Sequence, residues 1–252
     1  MKKILLILAF VAVGLTTASA QRVCVMSYNV KNGYGMDKIK SIERCAKIVK
    51  EVQPDVVAVQ ELDSCTRRNN FYVLGKMAEA AGGYYAYFSQ SIPYKGGAYG
   101  IGILSKKPAV SVKRYPLPCR KEPRSLLVVE FKKYYLLCTH LSLNEEDRIT
   151  SVAIIRDVVS KLKDKPVFIA GDMNARPTSK PVLAFKEFCE VLSNENKFTI
   201  PSTEPRACID YIFGTNGSFQ VLKEQVIYDC IYSDHLPLWV DVKIGKAKKA
   251  KK

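Results

Sequence analysis

Apolar residues along the chain follow two patterns, short continuous runs and segments in which they recur at helical spacing. The runs RVCVMSYNV, VVAVQ, LLVVEF, YYLLCTH, VFIAGD, ACIDYIFG, FQVLKEQVIY and PLWVDVKI predict strands. Residues 36–52, 71–81, 144–162 and 179–188 predict helices. Because the strands fall into two groups, each followed by helices, we expect two sheets packed face to face with helices outside.

Local signals refine these elements. LLVVEF and YYLLCTH flank Lys132-Lys133 and predict a hairpin. Asn144 is the predicted N-cap of the helix over 144–162, and Asp210 is expected in the middle of its strand. The inward faces are predicted to carry Ile39, Ile42, Cys45, Ala46, Val49 and Val52 in the first helix, and Ile149, Val152, Ile155, Val159 and Leu162 in the helix over 144–162.

The first 20 of the 252 residues, MKKILLILAFVAVGLTTASA, have the pattern of a secretory signal peptide. We expect cleavage near Ala20 and export to the periplasm or out of the cell. No second apolar run approaches the ~20 residues that span a bilayer, so no transmembrane segment is expected. Without a linker or an internal repeat, residues 21–244 are expected to form one domain.

The charge balance is basic, +15 for the whole chain. Without Lys2, Lys3 and the five lysines of the tail GKAKKAKK, residues 21–244 keep +8. The tail, 245–252, has no apolar residues to pack and is expected to be disordered. The remaining charge favours anionic partners such as nucleic acid or lipid headgroups, although a solubilising surface explains it equally well.

The eight cysteines are compatible with disulfides in an exported chain, but several lie in apolar strand runs typical of buried thiols. Both alternatives stay open. A zinc site is not expected, because the chain has two histidines and no metal-binding thiol spacing.

Polar side chains stand at the ends of strands or in the loops beside them. These residues are Asn29, Glu61, His140, Asp172 with Asn174, Asp210, and Asp234 with His235. One Asp after a strand is more often a turn former, and one His is more often a core or surface residue. Here, however, both histidines of the chain belong to the set, which favours a common site.

The segments SYNV, QELD, THLSL, GDMNARP, IDYIF and SDHLPL occur in this order between residues 27 and 238. Together they resemble the endonuclease/exonuclease/phosphatase superfamily, whose members include deoxyribonuclease I-like nucleases. The resemblance implies an α/β fold, a four-layer α/β/β/α sandwich of two mixed sheets, over residues 21–244. It also implies a metal-dependent phosphoric ester hydrolase.

The same resemblance implies roles for individual residues. Glu61, Asn29 and Asp234 would hold a divalent metal, Mg2+ or Mn2+, which prefers oxygen ligands. Asp172 would orient or deprotonate the attacking water, and Asn174 would hydrogen-bond a phosphate oxygen.

Four more residues complete the implied site. His235 would contact the phosphate, with Asp210 holding its ring, and His140 would be the acid for the leaving group. Arg124 would bind the phosphate. Where the deoxyribonuclease branch has a glutamate that pairs with the first histidine, Gln90 is the nearest residue here. As a neutral partner, Gln90 would support the His140 ring less tightly as a cation, which weakens the implied acid role of His140.

Nucleic acid is the favoured substrate. Arg67, Arg68, Arg120, Lys121 and Arg124 lie in loops expected to border the site, with Tyr84, Tyr85 and Tyr87 available for stacking on bases. The alternatives are a lipid phosphodiesterase, similar to sphingomyelinases or to GPI-related members, and a non-catalytic binding module. The sequence gives no sign of a protein partner.

Overall fold

The structure is a computed structural model that describes residues 21–162 and 164–246. The predicted signal peptide, 1–20, and residues 247–252 of the predicted tail lie outside the described residues. The strands are β1 Gln21–Asn29, β2 Val56–Ser64, β3 Tyr85–Tyr94, β4 Gly97–Ser105, β5 Ser111–Leu117, β6 Arg124–Glu130, β7 Tyr135–His140, β8 Val167–Asp172, β9 Glu190–Val191, β10 Asp210–Thr215, β11 Gly217–Val226 and β12 Leu238–Lys246. The helices are α1 Ile42–Val52, α2 Val73–Ala80, α3 Glu145–Ser160 and α4 Lys180–Lys186, with a 3-10 turn at Lys31–Gly33.

The strands form two six-stranded sheets, in the orders β11-β12-β1-β2-β4-β3 and β5-β6-β7-β8-β10-β9. Each sheet is mixed, because β1 pairs with β2 and β7 pairs with β8 in parallel, whereas the other pairs are antiparallel. Helices α1 and α2 pack on the first sheet, and α3 and α4 on the second. The predicted four-layer α/β/β/α sandwich is therefore confirmed.

Alternation along the strands of the second sheet decides which side chains face the first sheet. In β8, Phe168 and Ala170 belong to the core between the sheets, whereas Val167 and Ile169 pack with α3 and α4. Asp172 has the same parity as Phe168, so its side chain enters the seam between the sheets. His140 at the end of β7 and Asp210 at the start of β10 follow the same rule.

Local predictions were partly correct. The β6–β7 hairpin is confirmed, and the Asn144 side chain caps α3 by accepting hydrogen bonds from the backbone N–H groups of Glu146 and Asp147. Helix α1, however, begins at Ile42 rather than at 36, because residues 34–40 close a turn in which Asp37 accepts a hydrogen bond from the Ile39 N–H.

The remaining corrections concern ends and faces of elements. Ile39 and Ile149 were predicted to face inward but are 55% and 37% exposed. Helix α4 ends at Lys186, Asp210 begins its strand, and β2 continues past Glu61 to Ser64.

The eight cysteines are free thiols, and five of them are buried. Between residues 21 and 246, apart from residue 163, no helix has the length and apolar character needed to cross a membrane.

Gly171 provides a test of the β7–β8 contact that carries Asp172. Its φ is +150°, and a Cβ there would lie 1.9 Å from the carbonyl oxygen of Thr139. We expect Gly171→Ala to lower the free energy of unfolding by about 2–4 kcal/mol, since the two strands must move apart. The measurement is urea denaturation followed by circular dichroism.

The matched control is Gly82→Ala. Gly82 also has a positive φ, +113°, but a Cβ there meets nothing within 4 Å. Gly82→Ala should lower the free energy of unfolding by only about 1 kcal/mol, because only the backbone conformation is unfavourable for alanine. Equal losses in the two variants would contradict the close approach of β7 and β8.

Candidate active site

The polar strand ends meet at one edge of the seam between the two sheets. The Asn29 side chain, at the end of β1, donates from Nδ2 to Asp172 Oδ2 of the opposite sheet at 3.1 Å. It also donates to Glu61 Oε1 at 3.1 Å, and its Nδ2 lies 3.5 Å from His235 Nε2. One amide therefore joins both sheets and three other predicted site residues.

Glu61 reaches the site because of a β-bulge. Gln60 faces the second sheet, where its Nε2 donates to Cys138 Sγ at 3.5 Å, so regular alternation would turn Glu61 toward the helices. Instead, the pairing with β4 shifts between Val59 and Leu62, and Glu61 adopts a φ of +60°. The extra residue directs the Glu61 carboxylate to Asn29.

Asp172 is the centre of the site and is 1% exposed. Its Oδ1 accepts a hydrogen bond from the Asn174 backbone N–H at 2.8 Å. Its Oδ2 lies 3.4 Å from His140 Nε2 and 3.6 Å from His235 Nε2, besides its bond from Asn29. A buried carboxylate with this many donors is compensated, and its Oδ2 is shared between two imidazoles.

His235 is held as a cation. Its Nδ1 lies 2.9 Å from Asp210 Oδ2. Burial disfavours the charged ring, but the negative charges of Asp210 and Asp172 outweigh burial and raise the pKa of His235 to about 10. The ring is therefore protonated at neutral pH.

His140 has the opposite character. Burial lowers the pKa of His140 to about 4; Asp172 opposes this shift, and the positive charges of Arg124 and His235 add to it. The ring is therefore neutral at pH 7.

The predicted support of His140 by Gln90 is wrong. The Gln90 side chain is exposed, whereas its neighbour Ser89 faces inward and donates to Ser125 Oγ at 3.3 Å. Strand alternation in β3 thus turns Gln90 away from the seam.

Asp234 stands at the mouth of the site, where its Oδ2 pairs with Lys31 Nζ at 2.8 Å. Ser233 Oγ donates to the backbone carbonyl of Asn29 at 2.7 Å and fastens the loop that carries His235. Lys31 was not predicted, although its position two residues after Asn29 in SYNVK is a usable signal. Asn174, with φ of +48°, donates from Nδ2 to the Leu141 carbonyl at 2.9 Å.

Arg124 is buried at the start of β6 and pairs with Glu122, while its Nε has no hydrogen-bond partner in the described part of the chain. It lines a recess of about 420 Å³ between residues 119–124 and the start of α3.

The cations expected around the site are largely compensated. Arg68 pairs with Asp63, and Arg120 pairs with Glu146 and Asp147. Arg124 is likewise paired. Arg67 and Lys121 are exposed and make no ion pair with any described residue.

The three tyrosines proposed for stacking lie at the wrong end of the first sheet. Tyr85 pairs with Ser105, which pairs with Val56 at the start of β2, far from the bulge at Glu61. Tyr84 donates its hydroxyl to the Pro54 carbonyl at 2.8 Å, and the Tyr87 hydroxyl accepts from the Ala109 N–H at 2.7 Å. The spacing of the tyrosines along the sequence does not show which end of β3 lies at the site.

The donor set fits a hard divalent cation. Burial raises the pKa of Glu61, and the negative charges of Asp234 and Asp172 raise it further, although the Asn29 hydrogen bond opposes them. A divalent cation beside Glu61 would balance this excess of negative charge. The carboxylate and amide oxygens there are the ligands that such a cation prefers. One ligand atom each from Asp172, Asp210 and His235 also lie within 4.8 Å of one another, a second arrangement that could hold a metal.

Comparison with known proteins identifies the family. Residues 26–235 match the model of the Endonuclease/Exonuclease/phosphatase family. The chain therefore belongs to this family, whose members are generally phosphoesterases.

Individual relatives are distant. The uncharacterized protein YbhP of Escherichia coli is 24% identical over 245 residues, covering 86% of this chain and 95% of YbhP. An endonuclease/exonuclease/phosphatase family protein from Bacteroides thetaiotaomicron has a similar fold, with a TM-score of 0.77 and 20% identity over 93% of this chain and 99% of that one. A mannosyl-6-phosphatase of the same organism has a TM-score of 0.69 and 19% identity to this chain. The match covers 87% of this chain and 99% of the phosphatase.

In the metal-free protein, the pKa of His235 is expected to lie above the ordinary histidine value and the pKa of His140 below it. The His235 ring should stay protonated to well above pH 8, and the His140 ring neutral to below pH 6, in NMR spectra of the imidazole groups. Asp210→Asn should lower the pKa of His235 toward its ordinary value, because the paired charge is lost. A His235 ring that titrates unchanged in this variant would contradict the pairing.

The His235 pairing also has a stability consequence. Since its folded-state pKa is raised to about 10, above the unfolded value of about 6.5, the stabilisation is complete below pH 6.5 and is lost progressively toward pH 10. Wild-type protein should thus lose more stability over this window than Asp210→Asn does.

Proposed function

We propose that the chain is a metal-dependent phosphoric ester hydrolase in which Asp172 assists attack by water on phosphorus. The observation that carries the proposal is the buried Asp172 carboxylate, placed between a protonated and a neutral histidine. A binding module has no need of such a pair, so the non-catalytic alternative is disfavoured.

Glu61 is the proposed principal metal ligand, with Asn29 orienting it and Asp234 nearby. The competing arrangement at Asp172, Asp210 and His235 is weaker, because His235 carries a proton that a metal would have to displace. Mg2+ or Mn2+ beside Glu61 would polarise the phosphoryl group and offset charge on the leaving oxygen.

The protein groups divide the remaining chemistry. Asp172 accepts the proton of the attacking water through Oδ2, while the Asn174 N–H fixes its Oδ1. As the new P–O bond forms and the ester P–O bond breaks, the His235 imidazolium stabilises the charge on phosphorus-bound oxygen. The leaving oxygen departs as an oxyanion, to which neutral His140 donates a hydrogen bond, and it then takes a proton from solvent. Arg124 and Asn174 bind phosphate oxygens.

Nucleic acid remains a candidate substrate, favoured by the +8 charge of residues 21–244. Arg68, Arg120 and Arg124 pair with carboxylates, which leaves Arg67 and Lys121 of the five cations expected at this surface to neutralise the phosphates of a long polyanion. A compact phosphoric ester suits these compensated charges better, and a lipid headgroup ester is one such substrate.

We further propose that residues 1–20 direct export and that the mature domain begins at Gln21. Expression in a bacterial host should give periplasmic or secreted protein with an intact mass that starts at Gln21. A full-length cytoplasmic product would contradict this localisation.

Substitution of the two central groups should separate chemistry from folding. We expect Asp172→Asn and His235→Ala each to lower kcat for bis-p-nitrophenyl phosphate by about 100-fold or more, since a base or a charge stabiliser is lost. Glu187→Gln, an exposed carboxylate change on the surface, is the control and should keep the wild-type rate. A wild-type rate in Asp172→Asn would remove Asp172 from the reaction.

Metal dependence is tested at Glu61. Activity should vanish in EDTA and return with Mg2+ or Mn2+, and Glu61→Gln should weaken Mn2+ binding about tenfold or more in calorimetry. Full activity in EDTA would overturn the metal assignment. Supercoiled plasmid, RNA and sphingomyelin vesicles in the same assay distinguish the substrate classes.

A further inference from the structure

A second, smaller recess lies near the β2 bulge that carries Glu61. It has a volume of about 120 Å³ and is lined by Arg68, Ile92, Tyr94, Tyr99 and Glu122. Glu122 also lines the recess next to Arg124, so the Glu122–Arg124 ion pair separates the two cavities.

Tyr99 connects this recess to the site. On β4, Tyr99 pairs with Asp63, two residues beyond Glu61 on β2. Tyr99 therefore lies next to the bulge that carries Glu61. A molecule whose phosphate is bound at Asp172 and Glu61 has this recess as an adjoining space.

Arg68 is a rigid donor whose charge is compensated. Its Nε and Nη2 each donate to the Asp63 carboxylate at 2.8 Å, and Asp63 is fully buried. Asn69 Nδ2 donates to the same carboxylate at 2.8 Å. The third nitrogen, Nη1, makes no hydrogen bond within residues 21–162 and 164–246, so it is available to a ligand oxygen.

The composition of the recess excludes two kinds of ligand group. A second phosphate is disfavoured, because Asp63 compensates Arg68 and Arg124 compensates Glu122. Stacking of a flat base is disfavoured as well, because the Arg68 guanidinium lies over the rings of Tyr94 and Tyr99, at 4.8 and 5.8 Å from their centroids. The available groups are a guanidinium N–H, tyrosine hydroxyls and a carboxylate, which hydrogen-bond to neutral hydroxyl groups.

We propose that this recess binds the polyhydroxylated ring of the substrate, so that the hydrolysed ester is a sugar or cyclitol phosphate. The Arg68 N–H and the tyrosine hydroxyls hydrogen-bond to ring hydroxyls, and Glu122 accepts from them. The inference rests on the proposed function, since it takes the phosphate to be bound at Asp172 and Glu61.

The test compares p-nitrophenyl diesters that share one leaving group. These are the diesters of glucose 6-phosphate, myo-inositol 1-phosphate, n-hexyl phosphate and thymidine 5′-phosphate, assayed with their parent monoesters. We expect kcat/KM for a ring-hydroxyl ester to exceed that for the hexyl ester by about tenfold or more. Preference between glucose and inositol identifies the source of the ring.

Two tyrosines at opposite ends of β3 give a matched pair of variants. Tyr94→Phe should lower the ratio of sugar to hexyl kcat/KM by about fivefold to tenfold, because it removes only a hydroxyl. Tyr85→Phe makes the same change at an exposed position far from the recess and should keep the ratio. Arg68→Gln should lower it as well, with folding checked by circular dichroism.

The outcomes separate the recess from the catalytic proposal. Equal rates for ring and hexyl esters, an unchanged ratio in Tyr94→Phe, or preference for the thymidine ester would each overturn the recess assignment while leaving hydrolysis intact. Failure to hydrolyse bis-p-nitrophenyl phosphate would overturn the proposed function instead. In that event, calorimetry of glucose 6-phosphate and myo-inositol 1-phosphate with wild-type and Tyr94→Phe protein still decides whether the recess binds the ring.

Discussion

The site depends on one contact across the seam, the hydrogen bond from the Asn29 amide of one sheet to the Asp172 carboxylate of the other. Asp172 is buried, so its charge is tolerable only while donors surround it. Those donors come from both sheets and from the loop before β12. A one-residue change of register in β1 or β8 would turn a partner away from the seam and leave the carboxylate uncompensated. The register of β1 and β8 is therefore constrained most strictly at the polar ends of these strands.

Two identical side chains acquire different chemistry from their neighbours. His235 lies against Asp210 as well as Asp172 and is held as a cation. Among the carboxylates of the described residues, His140 pairs with Asp172 alone, and the positive charges of Arg124 and His235 oppose its protonation. The positively charged ring of His235 and the neutral ring of His140 therefore both lie beside Asp172 Oδ2. A phosphoryl group that gains negative charge during attack is matched by such an arrangement.

Charge is unevenly distributed around this centre. The site itself has surplus carboxylates, which a divalent cation would balance, whereas Arg68, Arg120 and Arg124 beside it are paired with acids of the same chain. Of the five cations expected to border the site, only Arg67 and Lys121 make no ion pair with a described residue. Selectivity is then expected to depend on hydrogen bonds to the group that carries the phosphate, in recesses whose charges are already compensated.

The sequence by itself determined most of the strands, the helices, the two-sheet sandwich and the set of polar residues, because alternation and local caps depend on neighbouring residues. It did not show β3, β4 or the short strand β9. It could not determine the bulge at Glu61, the outward turn of Gln90 or the remote position of Tyr84, Tyr85 and Tyr87. These features depend on how β2, β3 and β4 pair, and β2 pairs with β4 although α2 and β3 lie between them in the chain. The protonation states of His140 and His235 were also decided only in the folded protein, since burial and charges brought from distant strands set them. Residue type is a local property of the chain, whereas the direction and electrostatic environment of each side chain follow from which strands pair.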